Sequence, residues 1–166
     1  MYVLGICGSP RVNGNTRMLL EAALKATGAD TKLIELRGLK VAPCDGCEAC
    51  RKSFTCHIRD DMDGVYEELK RCDAMVCASP VYFGTVCSQL KAAMDRTLCL
   101  YHGKLLRNKV GAAVAVQGGD AADLVLAVID KFYGYHNVVY AGGVSGTGNE
   151  RGEVKRDRGA FEDAEA

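Results

Sequence analysis

Four cysteines that lie close together form the strongest chemical signal in the sequence. They are Cys44, Cys47, Cys50 and Cys56, so four thiols fall within thirteen residues. Thiolates at such short spacing are the ligands of iron–sulfur clusters and of structural zinc ions. Zinc ribbons usually separate two Cys-x2-Cys pairs by a long segment, whereas three cysteines at successive two-residue spacings resemble a ferredoxin run. The spacing therefore favours a [4Fe–4S] cluster over zinc.

The residues around these cysteines suit a loop that wraps closely round a cluster. Gly46 and Ala49 are small, and Pro43 precedes the first cysteine. The backbone amides of such a loop can bond to the cluster sulfides, and Arg51 and Lys52 could offset the negative charge. We therefore predict a cluster-binding loop over residues 43–58, called the cysteine loop below.

A second stretch, Gly8-Ser-Pro-Arg-Val-Asn-Gly-Asn-Thr16, combines hydroxyls, glycines and one arginine directly before a predicted helix. The free amides and the dipole of a helix N-terminus attract an anion, so we predict a phosphate cradle here. The spacing fits neither the Gly-x-Gly-x-x-Gly dinucleotide fingerprint nor a Walker loop, which disfavours NAD at this loop and ATP. A turn and a capped helix without a ligand is the alternative.

Two further loops could hold a planar ring. Tyr82 and Phe83 precede Gly84 after a predicted strand, and an aromatic pair there offers a stacking surface that a flavin ring would fit. The same two aromatic residues could instead plug the top of the core. After the next strand, Gly118 and Gly119 allow close approach of a ligand to the backbone, although two glycines are equally typical of a plain turn before a helix.

The remaining residues of chemical interest are expected to be structural. Cysteines on predicted strands or helices pack as small hydrophobic residues. This group consists of Cys7, Cys72, Cys77, Cys87 and Cys99. Asp60 and Asp61 precede a predicted helix, which favours capping over acid–base work. The three histidines share no metal-ligand spacing, and we expect His57 to be an ordinary loop residue.

Strands and helices alternate along the chain, which is typical of a parallel sheet. The strands are predicted at 2–7, 32–36, 74–78, 110–116 and 138–141, and the helices at 16–27, 60–71, 87–98 and 121–132. Right-handed crossovers make this a doubly wound α/β fold with five parallel strands. Ser79-Pro80 is expected to end the third strand. The cysteine loop follows strand two, so we expect it at the same sheet edge as the phosphate and ring loops.

Composition excludes several classes of protein. The length of 166 residues fits one domain, and 48% apolar with 25% charged residues is typical of a folded globular chain. The 21 basic and 21 acidic residues cancel, which disfavours nucleic acid and anionic membranes as partners. No apolar run approaches the roughly 20 residues that cross a bilayer, and no charged leader precedes the first strand. We therefore expect a cytoplasmic protein with reduced cysteines.

Several segments together resemble the iron–sulfur flavoproteins, a flavodoxin-like branch of the NADPH-dependent FMN reductase superfamily. The segments are Gly8-Ser-Pro-Arg-x2-Gly-Asn-Thr16, the cysteine loop, His57-Ile-Arg-Asp-Asp-Met62, Ser79-Pro-Val-Tyr-Phe-Gly84 and Leu90-Lys-Ala-Ala-Met-Asp-Arg96. The resemblance spans about residues 2–158 and implies the flavodoxin-like strand order 2-1-3-4-5. It also implies an FMN with its phosphate in the cradle and its ring against the other two loops. The cofactor-binding residues predicted in this way are Ser9, Arg11, Asn13, Gly14, Asn15, Thr16, Pro80, Val81, Tyr82, Phe83, Gly84, Gly118 and Gly119.

The resemblance also implies a homodimer or a dimer of dimers, with each cluster near the flavin of a neighbouring subunit. Gly152-Glu-Val-Lys-Arg-Asp157 fits the family pattern, and only a turn or two of a final helix is expected after it, which departs from that pattern. No motif identifies the physiological electron donor or acceptor.

Three functions are open at this point. The first is an electron-transfer oxidoreductase with FMN and a [4Fe–4S] cluster that takes electrons from reduced ferredoxin. The second is a cluster-free, NAD(P)H-dependent reductase of flavins, quinones or nitro compounds. The third is a zinc-stapled FMN-binding module without turnover, because a fold does not fix a function.

Overall fold

The computed structural model describes residues 1–166 as one sheet with helices on both faces. The strands are β1 Tyr2–Cys7, β2 Asp30–Glu35, β3 Ala74–Tyr82, β4 Thr85–Val86, β5 Val110–Gln117 and β6 Val139–Thr147. The helices are α1 Asn15–Ala26, α2 Cys50–Ser53, α3 Met62–Arg71, α4 Ser88–Arg96, α5 Leu98–His102, α6 Ala122–His136 and α7 Arg158–Glu165, with 3-10 turns at Leu36–Gly38 and Glu153–Arg156.

The sheet is parallel in the order β2-β1-β3-β5-β6, and β4 joins β3 as a short antiparallel hairpin. Without β4 the order is the predicted 2-1-3-4-5, so the prediction of a doubly wound sheet is confirmed. One apolar core lies under α3 to α6, and a second lies under α1 and α7 on the opposite face. The carboxyl ends of the parallel strands meet at one edge, called the carboxyl edge below, where such folds bind ligands.

The prediction that Ser79-Pro80 ends the third strand is wrong. β3 continues to Tyr82, and Pro80 pairs in register with Val116 of β5. On its other side β3 pairs with β1 only as far as Ala78. A proline has no amide to donate, and it is tolerated where one side of a strand has no neighbour. The end of β1 therefore lets β3 run past its proline toward the carboxyl edge.

The hairpin between β3 and β4 turns through Phe83 and Gly84. Both residues have positive φ angles, 50° and 72°, as the type I′ turn of a two-residue hairpin requires. Val81 pairs with Val86 across the hairpin. An aromatic residue is unusual at the first position of this turn, which explains why the sequence did not predict it.

Other elements differ from the prediction at their ends. β6 continues to Thr147, beyond a register shift that Gly142 accommodates with a φ of 126°. α6 extends one further turn to His136, and Thr97 divides the predicted helix 87–98 into α4 and α5. None of the helices has the length and apolar character needed to cross a membrane.

Candidate functional site

The phosphate cradle lies at the carboxyl edge between β1 and α1. Gly14 precedes the first residue of α1 with an extended backbone, and no side chain caps this helix. The amides of its first turn therefore stay available to an anion. The hydroxyl-bearing residues Ser9 and Thr16 lie beside them, each only 2% exposed. A Cβ at Gly14 would lie 3.0 Å from the Arg11 Cβ, a tight contact, so a larger residue there would require Arg11 to shift.

A loop that the sequence did not assign, residues 148–152, closes over the cradle. The side-chain amide of Asn15 makes three hydrogen bonds, of 2.7, 2.8 and 2.9 Å, to the backbone of this loop. Arg11 donates from Nη1 to the carbonyl oxygen of Asn149 at 2.5 Å. The Asn15 side chain is thus fully used inside the protein, and only its backbone amide is free for a phosphate. The other guanidinium nitrogens of Arg11 remain available at the exposed rim.

The same 148–152 loop meets the end of β5. A Cβ on Gly118 would overlap the Asn149 side chain, 2.0 Å from its Oδ1, and the Gly148 amide donates to the Gln117 carbonyl at 2.8 Å. A larger residue at Gly118 would therefore have to displace the Asn149 side chain of this loop. Gly119 is exposed and has open space around it. The glycines of Gly146-Thr-Gly-Asn-Glu-Arg-Gly152, placed after a strand, were the signal that could have identified the loop.

The predicted ring-binding residues form the end of β3 and the tip of the hairpin. Pro80 and Val81 are half-buried, Tyr82 is 40% exposed and Phe83 is completely exposed. The alternative in which the two aromatic residues plug the core is therefore wrong. Both rings stand free at the carboxyl edge, where a planar ligand or a partner chain could stack on them.

Gly8 connects the cradle to this hairpin. Its amide donates to the Ala78 carbonyl at 2.8 Å, and its carbonyl accepts from the Cys87 thiol at 3.0 Å. Asn13, in contrast, is exposed on the outer side of the cradle, where its Oδ1 accepts from Arg17 at 3.0 Å. The structure thus brings the cradle, the hairpin, Gly118 and the 148–152 loop to one edge, with Asn13 at the periphery.

The cysteine loop starts beyond β2 but does not stay at the carboxyl edge, so that expectation is wrong. Cys44 lines an open cavity of about 510 Å³ together with the C-terminal ends of α4, α5 and α6. The end of α6 lies beside the start of β5, because the Asn137 carbonyl accepts from the Asn108 amide. The start of a parallel strand lies opposite the carboxyl edge, so this cavity lies at the opposite edge of the sheet. The physical reason is apolar packing: Leu39 and Val41 pack against the core under α3 to α6, so the first part of the loop runs across that face of the sheet.

The four thiols of the loop divide into two groups. Cys50 and Cys56 are half-buried, and burial raises the pKa of the Cys50 thiol, whereas Cys44 is exposed. Cys47 is exposed and lies with Asp45 and His57 on the outer side. No three of the four cysteine sulfurs lie within 4.8 Å of one another. The donor set fits an iron–sulfur cluster chemically, and the four side chains would have to converge to hold one.

A buried ion pair closes the base of the loop. The Arg96 side chain is 0% exposed and donates to both carboxylate oxygens of Asp60, at 2.7 and 3.2 Å. It also donates to the carbonyls of Ala42 at 2.9 Å and Ile58 at 3.1 Å. Because Ala42 enters the loop and Ile58 leaves it, one guanidinium joins the two ends of the loop. Charge-assisted, two-pronged bonds of this kind are the strong ones in proteins.

The two charges of this pair stabilise each other. Burial acts to raise the pKa of Asp60, but hydrogen bonds from Arg96 and two backbone amides outweigh it and lower that pKa. Asp60 also accepts from the Met62 amide at 3.0 Å, so its predicted role at the start of α3 is confirmed. The capping prediction is wrong for Asp61, which accepts instead from the Lys40 amide at 2.7 Å. Both aspartates are therefore structural.

The other cysteines are buried, as predicted. Burial raises the pKa of Cys7 and Cys77 to about 11, so both stay protonated and behave as apolar packing residues. His136 is also buried, 2.9 Å from the Thr97 hydroxyl, and burial lowers its pKa to about 4.

A doubly wound sheet with an anion cradle at the first helix and exposed aromatic rings at the same edge defines a flavodoxin-like, FMN-binding protein. Residues 1–150 match the family described as NADPH-dependent FMN reductase. The chain belongs to this family, within its iron–sulfur flavoproteins, and is a flavin-dependent oxidoreductase. The resemblance found in the sequence motifs is therefore confirmed.

Relatives and solved structures support this assignment. The chain is 40% identical over 172 residues to an iron–sulfur flavoprotein of Methanocaldococcus jannaschii, covering 95% of this chain and 88% of the relative. It is 41% identical over 150 residues to an iron–sulfur flavoprotein of Archaeoglobus fulgidus, covering 86% and 76%. The structure of an NAD(P)H:quinone oxidoreductase from Methanothermobacter marburgensis has a TM-score of 0.79 at 16% identity, over 99% of this chain and 92% of that one, which shows a shared fold.

Proposed function

We propose that the protein is an electron-transfer oxidoreductase with FMN at the carboxyl edge and a [4Fe–4S] cluster in the cysteine loop. The observation that carries this proposal is the loop: four thiols on a segment whose two ends are joined by the buried Arg96–Asp60 pair. A loop fixed at its base loses less conformational entropy when it wraps a ligand. When bound, FMN exchanges one or two electrons and the cluster exchanges one.

The chain would hold each group with its own residues. The first-turn amides of α1, together with Ser9, Thr16 and Arg11, would bind the FMN phosphate, because they are the donors that point to one place. Tyr82 and Phe83 would flank the ring, and the backbone near Gly118 would approach it closely. The four ligands proposed for the cluster are Cys44, Cys47, Cys50 and Cys56. No side chain is needed as an acid or base, since the cofactors supply the chemistry.

Assembly and electron donor belong to the same proposal. The cysteine loop packs at one end of the sheet and the FMN loops lie at the other, so electron exchange between the cofactors favours a homodimer or a dimer of dimers. The exposed Tyr82 and Phe83 at the FMN end provide apolar surface for such contacts. The proposed electron donor is a ferredoxin-type protein, because it transfers one electron at a time, as a cluster does.

The test is anaerobic purification with flavin, iron and acid-labile sulfide quantified per chain. About four irons and about four sulfides with one FMN per chain would support the proposal, and a visible spectrum would report both groups. Less than about one iron per chain would rule it out. Zinc without iron would favour the zinc-stapled alternative instead.

A cluster-free, NAD(P)H-dependent reductase is the second candidate. Two observations favour it: the family is described by its use of NADPH, and no three of the four loop thiols lie within 4.8 Å of one another. Rapid mixing with NADPH distinguishes the two candidates. Complete flavin reduction by NADPH in protein without iron would favour this second function, whereas reduction by a one-electron donor through the cluster would favour the first.

A further inference from the structure

We propose that the edge at which the strands begin, called the amino edge below, carries a docking surface for an acidic electron-carrier protein. Residues 101–110 and 131–139 form this surface, called the basic surface below. The first segment runs from the end of α5 into β5, and the second runs from the last turns of α6 into β6. Docking there deepens the proposed function, because it gives the electron donor a place, and only the electron transfer itself rests on that function.

Backbone contacts hold the two segments of the basic surface side by side. The Asn108 amide donates to the Asn137 carbonyl at 3.0 Å, and the Val139 amide donates to the Lys109 carbonyl at 2.8 Å. Val110 and Val139 are then the first paired residues of β5 and β6. None of these contacts involves the cysteine loop, so the surface does not depend on the conformation of that loop.

The two segments contain cations and no carboxylate. Aspartate and glutamate are absent from residues 96–119 and again from residues 131–149. Lys104, Arg107 and Lys131 are exposed, and none of them belongs to an ion pair. Because the formal net charge of the chain is zero, this positive charge is a local excess and not a property of the whole surface.

Two aspartates border the basic surface without cancelling its charge. Asp73 lies beside the start of β5, and its carboxylate accepts from the Tyr2 amide at 2.8 Å. Asp130 comes directly before the second segment. Lys109 adds a fourth cation to the surface and donates to the Lys70 carbonyl at 2.9 Å. Four cations and two carboxylates leave the local charge positive.

Exposed apolar side chains lie among these cations. Tyr101 and Val110 are exposed on the first segment, and Tyr135 and Val139 are exposed on the second. Lys131 Nζ lies 5.5 Å from the centre of the Tyr135 ring, so charge and apolar surface are directly adjacent. An apolar patch with a polar rim is typical of protein interfaces, and transient electron-transfer complexes use small ones.

Charge and position together select the partner. A positive surface attracts a negatively charged protein and raises the rate of encounter, which makes an acidic partner the matching one. Tyr101 and Tyr135 also line the cavity beside Cys44, so a protein docked here would lie next to the cysteine loop. An acidic ferredoxin fits both requirements. On transfer the ferredoxin would lose one electron and the proposed cluster would gain it, without a proton or another reactant.

The binding test uses the full-length protein, purified anaerobically with its FMN and labelled with ¹⁵N. The probe is an oxidised plant-type [2Fe–2S] ferredoxin of strongly negative net charge, added at about 0.1 M salt. Amide signals of the basic surface should shift or broaden during the titration, and those of α1 and α7 on the opposite face should not.

Charge reversal identifies the cations that bind the probe. Lys104→Glu combined with Arg107→Glu should weaken binding by about 10-fold or more. Lys25→Glu combined with Arg158→Glu is the matched control, because it changes the net charge equally at exposed positions of α1 and α7. The control should change the affinity by less than about 2-fold, since charges farther away than about 10 Å are largely screened at this salt concentration.

Three results would overturn the proposal. Equal weakening by the two double variants would mean that the probe senses only the net charge. Equal affinity for a short DNA duplex would make the surface a general polyanion site. Dissociation of an assembly by Lys104→Glu with Arg107→Glu, measured by sedimentation against the control variant, would make the surface an interface between copies of this chain.

Electron transfer is measured separately, as the rate constant of flavin reduction by the reduced ferredoxin. This rate constant should fall about 10-fold or more in Lys104→Glu with Arg107→Glu, and added salt should lower it in the wild type. Protein that binds ferredoxin at the basic surface and accepts no electron would refute the proposed function and leave the docking surface standing. Iron-loaded protein that is reduced by ferredoxin at equal rates in both double variants would refute the docking surface and leave the proposed function standing.

Discussion

Replacing Arg96 with methionine is expected to release the base of the cysteine loop. The substitution keeps a long unbranched side chain but removes four hydrogen bonds to Asp60, Ala42 and Ile58. The Asp60 side chain is only 12% exposed, so its carboxylate would stay largely buried without a cation. Breaking one side of a buried ion pair costs about 3–5 kcal/mol, which is a large part of the roughly 5–15 kcal/mol that stabilises a domain.

Urea unfolding of the cluster-free protein, followed by circular dichroism at neutral pH, measures this loss. The free energy of unfolding should fall by about 3–5 kcal/mol, and the melting temperature by about 6–20 °C. Lys91→Met is the matched control, because it removes a cation from the same helix. Lys91 pairs with Asp95 on the surface, where both side chains are about half exposed, so this change should stay within about 0.5 kcal/mol.

Limited trypsin digestion locates the effect, since Arg51 and Lys52 lie inside the loop. Cleavage there should be faster in Arg96→Met than in Lys91→Met under conditions in which both proteins stay folded. Combining Arg96→Met with Asp60→Leu should recover part of the stability, because no buried charge then remains unpaired. Equal stability of Arg96→Met and Lys91→Met would refute the role assigned to the buried pair.

Three other changes test the remaining parts of the molecule. Cys50→Ser should remove or degrade the cluster and leave most of the flavin bound, because the sites proposed for the two groups lie at opposite ends of the sheet. Loss of both, measured as iron and flavin per chain, would contradict that separation. Arg11→Ala should weaken FMN binding by about 1.5–3 kcal/mol, or about 10- to 150-fold in a fluorescence titration, and an unchanged affinity would leave Arg11 only its bond to Asn149. The folded-state pKa of His136 is about 4, below the unfolded value of about 6.5. The contribution of His136 to the free energy of unfolding, about 3 kcal/mol, is therefore complete above pH 6.5 and is lost as the pH falls toward 4. His136→Phe should therefore show a weaker loss of unfolding free energy between pH 7 and about 4.5 than the wild type, and parallel pH profiles would contradict this.

Local patterns were enough to predict the fold, because each buried strand and each amphipathic helix is encoded within a few neighbouring residues. Right-handed crossovers then make the sheet doubly wound, and the flavodoxin-like resemblance supplies the order of its strands. Features that depend on distant neighbours were missed. Pro80 lies inside β3 only because β1 ends opposite Ala78, and the local sequence around Pro80 contains no sign of this.

The same limit applies to the candidate site. The cradle was predictable because hydroxyls and glycines before a helix make an anion site by themselves. The 148–152 loop that closes it contacts Asn15 across more than 130 residues of sequence, so no local pattern predicts the contact. Arg96 and Asp60 are 36 residues apart, and neither position by itself predicts a buried ion pair.

The position of the cysteine loop determines how the proposed cofactors could exchange electrons. β5 has eight residues, so the sheet is roughly 26 Å high from the cavity beside Cys44 to the FMN loops. Within one chain the two groups would therefore lie near opposite ends of the sheet. In the proposed assembly, a second chain would bring the cluster of its cysteine loop to the exposed Phe83 hairpin. Flavin reduction through that cluster should therefore depend on protein concentration in the range where the assembly dissociates. A concentration-independent rate in a protein that sedimentation shows to be monomeric would contradict transfer between chains.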